Sequence, residues 1–224
     1  MPGKIKTDLG FADLVCKESD VPRVSGLARQ AYSFNRKFFG TDLKKPFHIV
    51  VCYSRKELNE QWGGKTKEWL TGLANRDTIA TFPGSLIRKH NPKRWASLAG
   101  TLKHEINHMF FHQLTGHYKP SWLMEGLACQ FGLYRLDAQD KRKLKGKRPH
   151  LIESTADGSF FKKSQFLYPM GYLAVRYLMR KHGKAGMLRL LARYSKKPTK
   201  PGFEAAFQKT FGYSVKELEE RVFG

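Results

Sequence analysis

A chain of 224 residues that is 41% hydrophobic and 13% aromatic can fill one large domain or two small lobes, which excludes a disordered tail and a fibrous repeat. Its 41 Lys and Arg against 19 Asp and Glu give a formal net charge of +22, a field that favours anionic partners but says nothing about chemistry. No run of about eighteen apolar residues occurs, so no membrane-spanning helix is expected. Met1-Pro2-Gly3-Lys4-Ile5-Lys6 lacks the apolar core of a secretory signal, and the expected setting is cytoplasmic. Cys16, Cys52 and Cys129 are odd in number and widely spaced, which speaks for reduced, buried thiols over a disulfide framework or a cysteine-based zinc ribbon.

In chain order, residues 1–20 are mixed in pattern and read as irregular at the start. Val24, Leu27, Ala31, Phe34 and Phe38 recur at three and four, predicting an amphipathic helix from Val21 to Phe39 that ends at Gly40. Phe47 to Tyr53, rich in β-branched and aromatic residues, reads as a strand. Ser54-Arg55-Lys56-Glu57 fits a capping box opening a helix that stops near Gly63-Gly64. A strand or strand pair is expected across Thr78–Phe82 and Ser85–Ile87, interrupted by Pro83-Gly84. Asn91-Pro92 suits a helix start, and Trp95, Leu98, Leu102, Ile106, Met109 and Phe110 carry the helical period on to Gly116. A second helix begins at Ser121 and runs through Phe131. Residues 138–165 read as a long loop. The remainder is helical: Tyr168–His182 closed by Gly183, Lys184–Tyr194, Gly202–Phe211, and a last helix capped by Ser214 with Glu217.

The chemistry is concentrated in His104-Glu105-Ile106-Asn107-His108. Four residues apart on a helix, His104 and His108 project from one face and can share a metal ion. Glu105 can reach a water on that metal without being a ligand. This is the H-E-x-x-H arrangement, for which zinc is the usual ion. The alternative is a pair of ordinary polar residues on an exposed helix face. Against it, the neighbouring helix positions are strongly apolar, and buried imidazoles and a carboxylate need something to satisfy them. Glu125, 17 positions after His108, is the candidate third ligand; the competing role is a first-turn residue favoured by the helix dipole. His112 lies two turns beyond His104, rotated too far to complete the site, and reads as a core histidine or one that orients a ligand.

HEINH followed by Trp122-Leu123-Met124-Glu125-Gly126-Leu127-Ala128 resembles the gluzincin metallopeptidases, the group of thermolysin and aminopeptidase N, and most of all their compact peptidase MA-like branch. The resemblance implies zinc held by His104, His108 and Glu125, with Glu105 as catalytic base. The 16-residue spacer between His108 and Glu125 is somewhat shorter than in aminopeptidase N relatives. Leu167-Tyr168-Pro169-Met170-Gly171-Tyr172 resembles the Tyr-x-x-Gly segment whose tyrosine donates a hydrogen bond to the reaction intermediate. That implies Tyr168, with Tyr172 as competitor and an aromatic core stripe as the alternative to both. The helical tail from Phe203 to Glu219 extends the likeness. Where thermolysin carries a carboxylate that orients a zinc histidine, this chain has Cys129, so the partner of the zinc ligands must come from elsewhere.

Three protein ligands leave one metal position open, the mark of a catalytic site. The implied reaction is zinc-dependent hydrolysis of peptide bonds, with Glu105 passing a proton from water to the leaving amine. In gluzincins the substrate backbone adds to a sheet edge, expected here at Thr78–Ile87. No Asp or Glu lies between Thr78 and His90 to hold a free amine, which favours an endopeptidase over an aminopeptidase. From Lys141 to Lys200 there are 17 basic residues and two acidic ones, and Lys141–Arg148 holds six basics in eight positions. This region is either a solvated loop or a surface for nucleic acid or acidic protein. The rival functions are accordingly a nucleic-acid-associated protein and an inactive zinc-binding scaffold. The expected fold is α+β: an N-terminal helical segment over 1–45, an α/β lobe with a small mixed sheet and the active-site helix over 46–116, and a helical lobe over 117–224, with a zincin-like cleft between the lobes.

Overall fold

The computed structural model describes residues 3–75, 77–91, 96–116, 120–132, 134–144, 151 and 160–224. The fold is α+β, a mixed sheet with helices in the N-terminal part and a largely helical C-terminal part. The chain divides into two compact units, one of Met1–Phe110 with Phe131–Tyr134, the other of Phe111–Gln130 with Arg135–Gly224.

In the first unit five strands pair in the order β1-β2-β3-β5-β4 among the described residues: β1 (Lys4–Asp8), β2 (Ala12–Lys17), β3 (Phe47–Val51), β4 (Gly72–Asn75) and β5 (Thr78–Thr81). β3 lies at the centre, parallel to both β2 and β5; Phe47, Ile49 and Val51 are buried on one face and Val50 on the other, as a strand inside a covered sheet requires. β1 and β4 add antiparallel at the two edges. The opening segment is therefore strand rather than irregular. β1 alternates Lys4, Lys6 and Asp8 with Ile5 and Thr7, the charged pattern that suits an edge, and β2 buries Ala12, Leu14 and Cys16 on one face.

Helix α1 (Val21–Phe39) matches the expected span and ends on Gly40 at φ 73°, the left-handed conformation glycine adopts without strain. Helix α2 (Arg55–Trp62) is capped by Ser54, whose hydroxyl accepts from the Glu57 amide. The Glu57 carboxylate accepts from the Tyr53 amide and from Lys4, so the expected reciprocal box closes one residue early. The strand expected at Ser85–Ile87 is instead helix α3 (Gly84–His90). Pro83 stands at its N-cap, and only Gly84 and Ile87 of the segment are buried, which is too little for a strand inside the sheet. Asn91 terminates α3; the expected opening of the next helix at Pro92 and Trp95 lies outside the described residues. Helix α4 (Leu98–Thr115) buries Leu98, Leu102, Ile106, Met109 and Phe110.

In the second unit, α5 (Ser121–Phe131) is followed by α6 (Ala138–Leu144), so the stretch expected as loop over 138–165 is helical at its start and again from Phe160; residues 145–150 and 152–159, with the end of the basic run, lie outside the described ones. Helix α7 (Phe160–Tyr194) breaks at Gly183, with φ 65° and ψ −177°, where the sequence places a helix end. Helix α8 (Lys200–Phe211) is capped by Thr199, and α9 (Val215–Phe223) by a complete capping box of Ser214 and Glu217. No helix among the described residues is long and apolar enough to cross a membrane. Cys16, Cys52 and Cys129 are buried thiols outside any disulfide, and burial pushes the Cys16 thiol up to about 11 and Cys52 to about 12, which leaves both inert near neutral pH.

Candidate metal centre

His104, Glu105 and His108 share the middle of α4, and their candidate donor atoms lie within 4.8 Å of one another. The two imidazole rings stand edge to face with centroids 4.8 Å apart, and Glu105 Oε2 is 4.0 Å from His108 Nε2. Glu105 and His108 are only 6% and 5% exposed, while His104 is half-buried. Two imidazoles and a carboxylate, largely withdrawn from water, form a donor set suited to a borderline divalent ion such as zinc. The expectation of an ordinary exposed helix face does not survive this burial.

The turn that carries these residues is held from two sides. On one side lies β4. A methyl group in place of the Gly72 α-hydrogen would stand 3.0 Å from Glu105 Oε1 and 3.3 Å from Glu105 Cγ, and would overlap Thr101 Cγ2. The edge strand thus approaches the Glu105 carboxylate as closely as a residue without a side chain allows. On the other side lies α1, whose Asn35 is wholly buried. Its amide nitrogen donates to the carbonyls of Ala31 at 3.0 Å and Lys103 at 3.1 Å, and its Oδ1 accepts from Asn107 Nδ2 at 2.9 Å. Around that contact Phe39 stacks on Phe110 at 5.2 Å and Lys103 Nζ lies 4.9 Å from the Phe34 ring. No local pattern in the sequence marks Gly72 or Thr101, and little marks Asn35. The one available signal was an asparagine inside the apolar stripe of α1, between Ala31 and Phe38.

Glu125 and Tyr168 belong to the second unit. Glu125 is 3% exposed on α5 and Tyr168 half-buried on α7; Tyr172 is half-buried one turn on, and His112 is half-buried. The turns bearing Glu125 and Tyr168 are brought together by two glycines. A Cβ on Gly126 would overlap the Gly171 carbonyl, and one on Gly171 would overlap the Trp122 carbonyl. Glu125 directly precedes Gly126, and Tyr168 lies three residues before Gly171. Small residues at both positions let the α5 and α7 backbones touch.

No protein-family profile matches the chain, and no curated protein matches it. Among solved structures, native yeast LTA4 hydrolase is similar with a TM-score of 0.54 at 13% identity, over 97% of this chain and 38% of that one. The chain therefore spans well under half of that protein's length, and the likeness is one of fold. Together with the His104-Glu105-x-x-His108 cluster, it gives a distant structural link to LTA4 hydrolase and a cluster consistent with a gluzincin-type zinc site.

Proposed function

We propose that this chain is a zinc-dependent peptidase, with His104, His108 and Glu125 as metal ligands, Glu105 as general base and an endopeptidase mode of cleavage. The observation that carries the reading is the His104-Glu105-His108 group on a single helical turn, with Glu105 and His108 buried. When bound, zinc supplies a Lewis-acidic position at which water becomes nucleophilic near neutral pH. The Glu105 carboxylate takes the proton from the attacking water and returns it to the nitrogen of the departing amine. Tyr168 donates its phenolic hydrogen to the developing oxyanion. The substrate backbone runs along β4, the free edge beside Glu105, and not along Thr78–Ile87 as the sequence suggested, because β5 is covered by β4. The excess of positive charge from Lys141 to Lys200 draws acidic protein substrates or nucleic acid towards the enzyme.

The test separates ligand from base. Glu105→Gln is expected to retain one zinc per chain and lose cleavage of a peptide library by a factor of about 10² or more. Glu125→Ala is expected to lose zinc itself. Undiminished turnover in Glu105→Gln removes the base, and full zinc retention in Glu125→Ala removes the third ligand. One zinc per chain with no cleavage across the library by the wild type would establish the inactive scaffold in place of the peptidase.

A further inference from the structure

Asn35 is a buried polar residue of α1 bonded to the metal-bearing turn of α4. Both hydrogens of its amide nitrogen point at main-chain carbonyls, Ala31 on its own helix and Lys103 on α4. Two carbonyl acceptors fix which end of the amide is nitrogen, so Oδ1 must face Asn107 and accept from its Nδ2. The Lys103 carbonyl is the one that closes the helical turn from Lys103 to Asn107. Asn35 therefore grips α4 twice, at both ends of one turn. Those two points directly precede His104 and His108 in the chain.

We infer that Asn35 and Asn107 are positioning residues that fix the rotation of α4 and so aim the two imidazoles. The inference rests on the metal reading of His104 and His108. The physical case is one of leverage and tolerance. Side-chain tips on a helix lie roughly 6 Å from the axis. A rotation of about 10° swings such a tip by roughly 1 Å, whereas metal–ligand distances tolerate only about 0.2 Å. The apolar contacts between α1 and α4 do not supply that precision alone, because apolar packing is non-directional. A hydrogen-bonded clamp has a single register.

The pair is poorly explained as a stabilising device. Asn107 is wholly buried, and its Oδ1 has no hydrogen-bond partner among the described residues. Taking two amides out of water works against folding, so a well-packed apolar pair of similar volume is expected to be as stable or more so. Retaining the amides makes sense if orientation is what they contribute.

The experiment compares the full-length wild type with Asn35→Leu/Asn107→Leu. It uses Zn²⁺ affinity by competition with a chromophoric chelator, the visible absorption of the Co²⁺-loaded protein, and the melting temperature of the metal-free protein. Expected are an unchanged or raised melting temperature, a zinc dissociation constant weakened tenfold or more, and an altered cobalt spectrum. If the double variant does not fold, Asn107→Leu alone, which removes the 2.9 Å bond and keeps the number of side-chain heavy atoms, is expected to weaken zinc in the same direction by a smaller factor. Wild-type affinity and an unaltered cobalt spectrum in a folded variant would overturn the positioning role while leaving the metal site standing. Failure of the wild type to take up zinc would overturn both.

Discussion

Gly72 lies against Glu105 so closely that a single added methyl group would stand 3.0 Å from the carboxylate oxygen and overlap Thr101 Cγ2. Thr101 is β-branched and held to few rotamers in a helix, so it cannot swing aside at little cost. Gly72→Ala must then push β4 from α4 or displace Glu105. The expected result is a loss of about 1–3 kcal/mol of stability and, with Glu105 in the proposed role of base, a tenfold to hundredfold fall in kcat, of order that seen for an ångström of displacement. Combining it with Thr101→Ser, which removes the overlapping methyl, should restore much of the stability and less of the activity. Thermal melts and peptide kinetics on the two variants check this; a Gly72→Ala enzyme with wild-type kcat would show that β4 does not constrain the base.

The second glycine pair governs the other unit. Gly126 and Gly171 face backbone carbonyls, Gly171 O and Trp122 O, and main chain cannot rotate out of the way of a new methyl group. Gly126→Ala and Gly171→Ala are each expected to destabilise by about 3 kcal/mol, lowering the melting temperature by roughly 6–12 °C. Because both substitutions disturb one contact, the double variant should cost less than the sum of the singles. Additive losses would mean that the two glycines serve separate contacts.

What the sequence shows and what it hides follow from how each signal is encoded. HEINH is local chemistry at fixed helical spacing, and it survives intact as the buried His104-Glu105-His108 group. Helix ends marked by Gly40, Gly183 or Ser214 are equally local and stand where expected. The edge strands β1 and β4 were not legible because an edge strand needs little apolar content: β1 carries Lys4, Lys6 and Asp8, and β4 is four residues beginning with glycine. Leu86-Ile87 reads as strand because two apolar residues cannot distinguish the two periods; in the helix that forms, only Gly84 and Ile87 are buried. Asn35 and Gly72 matter only through partners 72 and 33 residues away, Asn107 and Glu105, and no local pattern announces such a meeting.

Acid should loosen the first unit through Glu57. Its carboxyl is held below its ordinary value of 4.5: burial opposes the charge, but the Lys4 ammonium at 2.5 Å and the Tyr53 amide at 3.1 Å outweigh it. A carboxylate whose folded pKa is depressed contributes its stability in full above the unfolded pKa and loses it as pH falls through the folded one. Glu57→Gln is therefore expected to be less stable than wild type at pH 7 by about 1–2 kcal/mol, allowing for the partial exposure of the carboxylate. The difference should shrink as pH falls below 4.5. Denaturant titrations of both proteins from pH 7 to pH 3 test this; a difference that persists undiminished at pH 3 would mean that charge is not what Glu57 contributes.

β4, outermost among the described strands, also bears on which peptide bonds the proposed peptidase would cut. With β4 outermost, the segment beside Glu105 is Gly72-Leu73-Ala74-Asn75, which contains no carboxylate to bind a substrate's free amine. The absence first noted over Thr78–His90 therefore holds for the strand that does form the edge. Main-chain hydrogen bonding to β4 would accept an extended peptide at any point along its length, and blocking the N-terminus removes nothing that such an edge uses. N-acetylated peptides are accordingly expected to be cleaved at internal bonds with kcat/KM within about threefold of their free-amine counterparts, since no ionic contact of a few kcal/mol is lost. Mass-spectrometric mapping of products from the two series gives the answer. Release of single residues from free-amine peptides alone, with the acetylated series untouched, would make the enzyme an aminopeptidase and require an amine-binding carboxylate from outside β4.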